Sequence, residues 1–302
     1  METPFHIKSV RIHNLFGGRD IFWPLFDDVN VVSGRNGSGK STILRLLYQL
    51  LALGDVTDSR LSTLADSLCI DFVNGYSIQW DRTRQPRTIV TAPNQSILPF
   101  ESIKDSLNVR YVNSFELIAK EVLNLRKEGD NGITTLDLFI REEINTRNAI
   151  FTGAFEKLFE GISHNQTLQQ LSEQNPDIAS FMDFYQRVHA FMSSYRVLVD
   201  SRIRFVNAEN KEFDYTGLSS GEKQVLLLLL MATNTQRNPC VFILDEPDLA
   251  LHIRWKQQLI KELRAINPQM QIVLSTHSPS VIEGWYGKVK EVSQITTNPQ
   301  SR

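Results

Sequence analysis

Cysteine is almost missing from this chain. Of 302 residues only Cys69 and Cys240 carry a thiol, far apart and without CxxC spacing. That excludes a disulfide-stapled secreted scaffold and fits two reduced thiols in a cytosolic protein. Long apolar runs are missing too. The longest, VLLLLLMA from Val225 to Ala232, is under half of the roughly 20 residues that a membrane-spanning helix needs. The opening METPFHIKSVRIHNLF has charge and polarity where a signal peptide has its apolar stretch. These absences predict a cytoplasmic protein that does not enter a membrane. An excess of one charge sign is also lacking. The formal net charge is −2, so the total does not announce a nucleic-acid binder, although a basic patch can sit inside a neutral sum. No internal repeat, low-complexity tract or sustained heptad pattern is present, which excludes a solenoid and a long coiled coil. What remains has the composition of an ordinary globular protein, long enough for one large domain or two modest ones.

Hydrophobic periodicity divides the chain in three. FHIKSVRIHNLF alternates as a half-buried strand should, and IFWPLFDD and VNVVSG read as further strands. GKSTILRLLYQLLALG has helical spacing and a glycine stop. LCIDFVNGYSIQWDRTR carries two alternating runs around NG, a hairpin signal, and TIVTAP adds another strand. The first hundred residues therefore predict a mixed sheet around one helix. From about Pro99 to Tyr195 the character changes. VRYVNSFELIAKEVLNLRK starts as a strand and turns helical. TTLDLFIREEINTRNAIFTGAFEKLFEGI and DIASFMDFYQRVHAFMSSYRVLV read as amphipathic helices. Afterwards strand and helix alternate: CVFILDEPD, IRWKQQLIKELRAINP, MQIVLSTHSP. Such alternation predicts a parallel sheet with crossover helices. The expected organisation is an α/β head made of residues 1–98 and 200–302, with a helical insert at 99–199.

Four motifs carry chemistry. VNVVSGRNGSGKSTIL fits G-x-x-x-x-G-K-[ST] from Gly34 to Ser41, with the strand before and the helix after that this motif requires. Backbone N–H groups of Gly34, Arg35, Asn36, Gly37, Ser38, Gly39 and the helix start at Lys40, Ser41 and Thr42 would cradle phosphates. The Lys40 amine would reach the β- and γ-phosphates and the Ser41 hydroxyl a Mg²⁺ ion. A chance glycine-rich loop is the bland alternative, and the flanking strand and helix argue against it. In CVFILDEPD, Asp245 ends a buried strand where a carboxylate can hold the same metal, and Glu246 can orient or polarise an attacking water. Solvated acids at a strand end are the alternative, weakened by the phosphate loop. His277, at the end of IVLSTHSP, sits where ligands bind in parallel sheets and can hydrogen-bond a γ-phosphate. GLSSGEKQ places Ser219, Ser220 and Gly221 at a helix N-terminus, whose free N–H groups favour an anion. A serine N-cap with Glu222 or Lys223 nearby explains that helix start equally well.

Taken in order, the phosphate loop, LSSGEKQ, FILDEPD and STHSP resemble the head of an ABC-type ATPase. More narrowly, IHNLFGGRDIFW before the phosphate loop and LDEPDLALH resemble the RecF, SMC and OLD-like group, and THSP resembles bacterial anti-phage defence ATPases. The resemblance covers about the first and last hundred residues. It implies an ABC-type P-loop fold, bound ATP and Mg²⁺, and two heads stacked head to tail. In such a pair Ser219, Ser220 and Gly221 of one copy cap the γ-phosphate held by the other. Glu246, His277 and Lys40 are implied as catalytic residues and Ser41 and Asp245 as metal ligands. No Toprim-like acids follow THSP, so a separate effector, a nuclease or toxin, is expected. LSSGEKQ departs from LSGGQ by a serine, and no Q-loop glutamine can be placed in VRYVNSFE. Phe16 and Arg19 are adenine-side candidates by position only. Arg82, Arg84 and Arg87 of DRTRQPR leave contact with nucleic acid open, with a solvated hairpin the plainer reading. Other readings are a DNA-repair ATPase that clamps DNA directly, a transporter's ATP-binding subunit, and a nucleotide-held scaffold with slow turnover.

Overall fold

In the computed structural model, residues 4–113, 134–159, 176–199 and 202–297 are described. The helix expected after Asn113, the EGDNG stretch and the first three residues of EQNPD lie outside them. The chain forms two compact units. One comprises Met1–Asn113, Pro239–Pro247 and Gln269–Arg302, the other Ser114–Asn238 and Asp248–Pro268.

The first unit contains two sheets. The strand Ile7–Leu15 alternates between buried and exposed residues, with two irregularities, and pairs antiparallel with Arg19–Pro24 and Ser67–Phe72. Ser67–Phe72 turns back through Gly75 into Ser77–Asp81, the hairpin that NG announced. Thr88–Thr91 and Ile97–Leu98 extend one side and Thr296–Thr297 the other, so this seven-stranded sheet is antiparallel throughout. The second sheet has five strands and is wholly parallel, ordered Val289–Glu291, Val29–Ser33, Met270–Ser275, Cys240–Asp245, Val109–Asn113. The mixed character predicted for the first hundred residues thus resolves into two sheets, each of one kind. Val29–Ser33 leaves its sequence neighbours and joins strands from the far end of the chain. The burial of Val29 through Val32 in succession suits a strand covered on both faces, as parallel strands are.

The helix Lys40–Leu53 turns Ile43, Leu44, Leu46, Leu47, Leu50 and Leu51 into the core, with Trp23, Phe72 and Trp80. It ends where the sequence predicts. Gly54 is left-handed at φ 70° and its N–H bonds the Leu50 carbonyl.

The second unit holds the helices Thr135–Phe159, Pro176–Phe191, Ser220–Thr233 and Ile253–Ile266 and an antiparallel sheet of Arg196–Val199, Ile203–Val206 and Glu212–Asp214. One expectation is corrected. RVLV at the end of the predicted second helix is a strand, with Val197 buried opposite Phe205. A turn follows Phe191, and the β-branched Val197 and Val199 then suit a pleated surface better than a helix. The run from Val225 to Ala232 is buried on every side. A helix apolar all round must be buried, and here the three other helices pack against it.

Candidate functional site

Parallel register brings the site together in the first unit. Asp245 lies opposite Ser275 on one neighbour and Asn113 on the other, and Ser275 lies opposite Val32. The strands therefore end at one edge, and that is where ligands bind in such sheets.

After Val29–Ser33 the chain must turn sharply. Gly34, Gly37 and Gly39 take φ of 147°, 76° and 108°, values that side chains with a Cβ rarely adopt. A Cβ on Gly34 would stand 2.8 Å from Ser38 Oγ. Ser38 N–H bonds the Arg35 carbonyl and closes the loop. Lys40, 5% exposed, turns its amine back into that loop, donating to the carbonyls of Gly34 and Arg35 at 3.1 and 3.4 Å.

The sequence-predicted residues of this unit converge. Ser41 Oγ donates to Asp245 Oδ1 at 3.0 Å across 204 residues of chain. Asp245 is buried, and Ser275 Oγ donates to the same oxygen at 2.5 Å. Asn113 Nδ2 donates to the other carboxylate oxygen at 3.3 Å. Glu246 has φ 51°, which turns it off the strand direction. Its N–H is held by the Ser275 carbonyl and hydroxyl, both at 3.1 Å. His277 Nε2 lies 2.8 Å from Lys40 Nζ and 3.4 Å from Glu246 Oε1. One ring nitrogen cannot serve both as acceptor from the ammonium and as donor to the carboxylate. An ammonium only donates, so in the contact with Lys40 it is Nε2 that accepts.

Ser275 and Asn113 are the residues that sequence reasoning missed. Ser275 opens STHSP and Asn113 lies in VRYVNSFE, but neither is given a role there, and the register of strand ends reveals it. The adenine-side candidates do adjoin the phosphate loop. Phe16, 43% exposed, lies so close that a Cβ on Gly39 would come within 2.8 Å of its ring, and Arg19 Nη1 donates to the Ser38 carbonyl at 3.4 Å. The basic cluster is partly neutralised. Arg82 pairs with Asp66 at 2.6 Å and Arg84 with Asp81 at 3.2 Å, as in a solvated hairpin. Cys69 and Cys240 are free thiols.

For a divalent ion, the donor set is one carboxylate and one hydroxyl 3.0 Å apart. Among the described residues no group of three or more His, Cys, Asp or Glu side chains could hold a metal. Mg²⁺ fits such a pair, because it is usually held by one or two protein oxygens together with phosphate and water.

In the second unit, Ser219 caps the helix Ser220–Thr233 in a full capping box: its hydroxyl accepts from Glu222 N–H and donates to Glu222 Oε2 at 2.7 Å. Gly221 has no room for a side chain, since a Cβ would stand 2.4 Å from the Ala250 carbonyl. Lys223 does not cap. It forms an ion pair with Asp137 at 2.8 Å, both side chains buried.

Compared with known proteins, the chain belongs to the family described as AAA domain, putative AbiEii toxin, Type IV TA system, whose model matches residues 29–210 and 192–283. It is 24% identical over 306 aligned residues to Septu protein PtuA of Bacillus thuringiensis, covering 92% of this chain and 73% of that protein. Over 82 residues it is 34% identical to Retron Vc95 probable ATPase of Vibrio cholerae serotype O1 biovar El Tor, which is 24% of this chain and 16% of that protein. It is 23% identical over 221 residues to Retron Ec83 probable ATPase of Escherichia coli, 67% of this chain and 39% of that protein. The chain thus spans only part of either retron relative. An SMC head bound to the C-winged helix domain of ScpA superposes with a TM-score of 0.64 at 14% identity, covering 98% of this chain and 99% of that one. The SMC head domain from Thermotoga maritima gives 0.53 at 14% identity, covering 92% and 91%. The fold is that of an ABC-type P-loop ATPase head, as the motifs predicted. No described helix is long and apolar enough to cross a membrane.

Proposed function

We propose that this chain binds Mg²⁺-ATP between two copies of itself, hydrolyses it, and passes the state of that dimer to a separate effector, a nuclease or toxin, in anti-phage defence. The observation that carries the catalytic part is the convergence of Ser41 on Asp245 and of His277 on Lys40 and Glu246. The setting rests on likeness to Septu and retron ATPases.

The phosphate loop supplies N–H groups and the Lys40 ammonium to the β- and γ-phosphates. Ser41 and Asp245 would hold Mg²⁺, which neutralises charge on the phosphate oxygens. The γ-phosphate takes the Lys40 ammonium, and His277, with its proton on Nε2, donates to the transferred phosphoryl group. Glu246 orients a water and accepts its proton as the water oxygen bonds to phosphorus and the bond to the ADP oxygen breaks. Glu246 is 16% exposed, close enough to solvent to admit that water. Ser219, Ser220 and Gly221 of the second copy cap the γ-phosphate, and Ser219 exchanges its Glu222 partner for a phosphate oxygen.

The test is Glu246→Gln, analysed by native mass spectrometry with Mg²⁺-ATP. A dimer holding two nucleotides is expected, and a second protein retained from the native host would identify the effector. Dimers holding DNA alone would favour the clamp reading, and monomers that hold ATP would sink the shared-site reading. Chelation of divalent ions is expected to stop turnover.

A further inference from the structure

We infer that Ser275 is a positioning residue that holds the metal ligand Asp245 and the base Glu246 in one fixed relation, through a single hydroxyl bonded to both. This rests on the Mg²⁺-ATP reading above, in which those two residues serve the reaction.

Ser275 ends the strand Met270–Ser275, every residue of which is buried. It follows the apolar run Ile272, Val273 and Leu274 and is itself 0% exposed. A hydroxyl buried there costs free energy unless it finds hydrogen-bond partners. It finds one in each direction. Its proton goes to Asp245 Oδ1 at 2.5 Å, and its oxygen accepts from the Glu246 N–H at 3.1 Å. A serine hydroxyl has only one proton to give, so this one is committed to two consecutive residues at the end of the neighbouring strand. Register makes that possible. Ser275 lies opposite Asp245 on one side and, on the other, opposite Val32, just before the phosphate loop.

A plainer role would be to satisfy a buried carboxylate. Asp245 does not need Ser275 for that. Ser41 Oγ donates to Oδ1 at 3.0 Å and Asn113 Nδ2 to Oδ2 at 3.3 Å, so each oxygen has another donor. What Ser275 adds is the second contact. Asp245 and Glu246 share one peptide unit, and Glu246 leaves it at φ 51°. That angle is a rotation about the N–Cα bond of Glu246, so fixing the direction of its N–H fixes the frame from which its side chain points. The Ser275 carbonyl accepts from the same N–H at 3.1 Å, so a backbone bond persists when the hydroxyl is removed. The hydroxyl is the group that ties this N–H to the carboxylate one residue earlier. It acts through its partners, as groups that hydrogen-bond a metal ligand do.

The experiment compares Ser275→Ala, Ser275→Val and Ser275→Thr with wild type. Valine and threonine have nearly one shape, so the last two variants differ in the hydroxyl. The dissociation constant of Mn²⁺ is measured on protein saturated with the ATP analogue AMP-PNP, from the electron paramagnetic resonance signal of free Mn²⁺. Values of kcat and KM for ATP are measured at saturating Mg²⁺, and each variant is melted. Ser275→Ala and Ser275→Val are expected to weaken Mn²⁺ by about tenfold or more, the scale of a lost bond to a metal ligand. They are also expected to lower kcat by about tenfold with KM unchanged, the mark of an interaction made in the transition state. Ser275→Thr is expected to keep both near wild type. A kcat in Ser275→Ala that saturating Mg²⁺ restores in full overturns the tie to Glu246, and unchanged Mn²⁺ binding overturns the tie to Asp245. Equal losses in Ser275→Val and Ser275→Thr overturn the role of the hydroxyl, as does a lower melting temperature in Ser275→Ala with both other quantities unchanged. Wild type that binds neither Mn²⁺ nor AMP-PNP overturns the Mg²⁺-ATP reading beneath the proposal.

Discussion

Glu246 is a carboxylate on a left-handed backbone at φ 51°, an arrangement that costs on the order of 1–3 kcal/mol and persists where the surroundings hold it. Its N–H, donating to both the carbonyl and the hydroxyl of Ser275, does so. Glu246→Gln keeps the shape and the backbone bonds but cannot take a proton. We expect turnover to fall at least about a hundredfold, the usual scale of a lost general base, while the ATP dissociation constant moves little; stopped-flow hydrolysis and calorimetry check this. Gly221 makes a prediction of a different kind. Its obstacle is the backbone carbonyl of Ala250, which cannot swing aside as a side chain does. Gly221→Ala should cost about 1–3 kcal/mol. Gly287→Ala meets nothing within 4 Å and should unfold with wild type in a thermal melt.

At the scale of elements, the buried pair of Lys223 and Asp137 ties the first turn of Ser220–Thr233 to the first turn of Thr135–Phe159. Asp137 divides its oxygens. Thr134 donates its N–H and hydroxyl to Oδ2 at 2.9 and 2.6 Å, and Oδ1 faces Lys223. Removing one member strands the other charge, which costs about 3–5 kcal/mol. Lys223→Met should therefore lower the melting temperature by on the order of 10 °C, and Lys223→Met with Asp137→Leu should recover much of it. A double variant no more stable than Lys223→Met would show that the pair is not what holds these helices. Nothing in GLSSGEKQ announces this contact. Lys223 reads there only as a neighbour of the serine cap, and the arrival of Asp137 from the inserted region makes it a buried partner.

At the scale of the whole molecule, a shared site has a consequence that no single chain can mimic. Lys40→Ala should abolish turnover by losing the phosphate contact, and Ser219→Arg by blocking the cap. Mixed in equal amounts, they should regain about a quarter of wild-type sites, because half the dimers are mixed and each mixed dimer has one intact composite site. A mixture as inactive as its components would mean that phosphate loop and signature loop serve the same chain or no dimer at all. The measurement is steady-state phosphate release against mixing ratio.

What the sequence by itself determined is whatever a short stretch of chain can specify. The phosphate loop needs glycines at φ values that other residues avoid, so Gly34, Gly37 and Gly39 are legible without any neighbour. The capping box at Ser219 and Glu222 spans three residues, and the stop at Gly54 is one residue's conformation. The tertiary structure decided which strand lies beside which. It withdrew Val29–Ser33 from the first sheet, set Ser41 against Asp245 across 204 residues, and made Ser275 and Asn113 part of the site. It grouped the helix Ser220–Thr233 with the inserted helices in one unit. It also turned RVLV into a strand against Ile203–Val206. The physical reason is common to all of these: turns and caps are satisfied by bonds within a few residues, whereas strand order and buried charges are satisfied only by partners that folding brings from far along the chain.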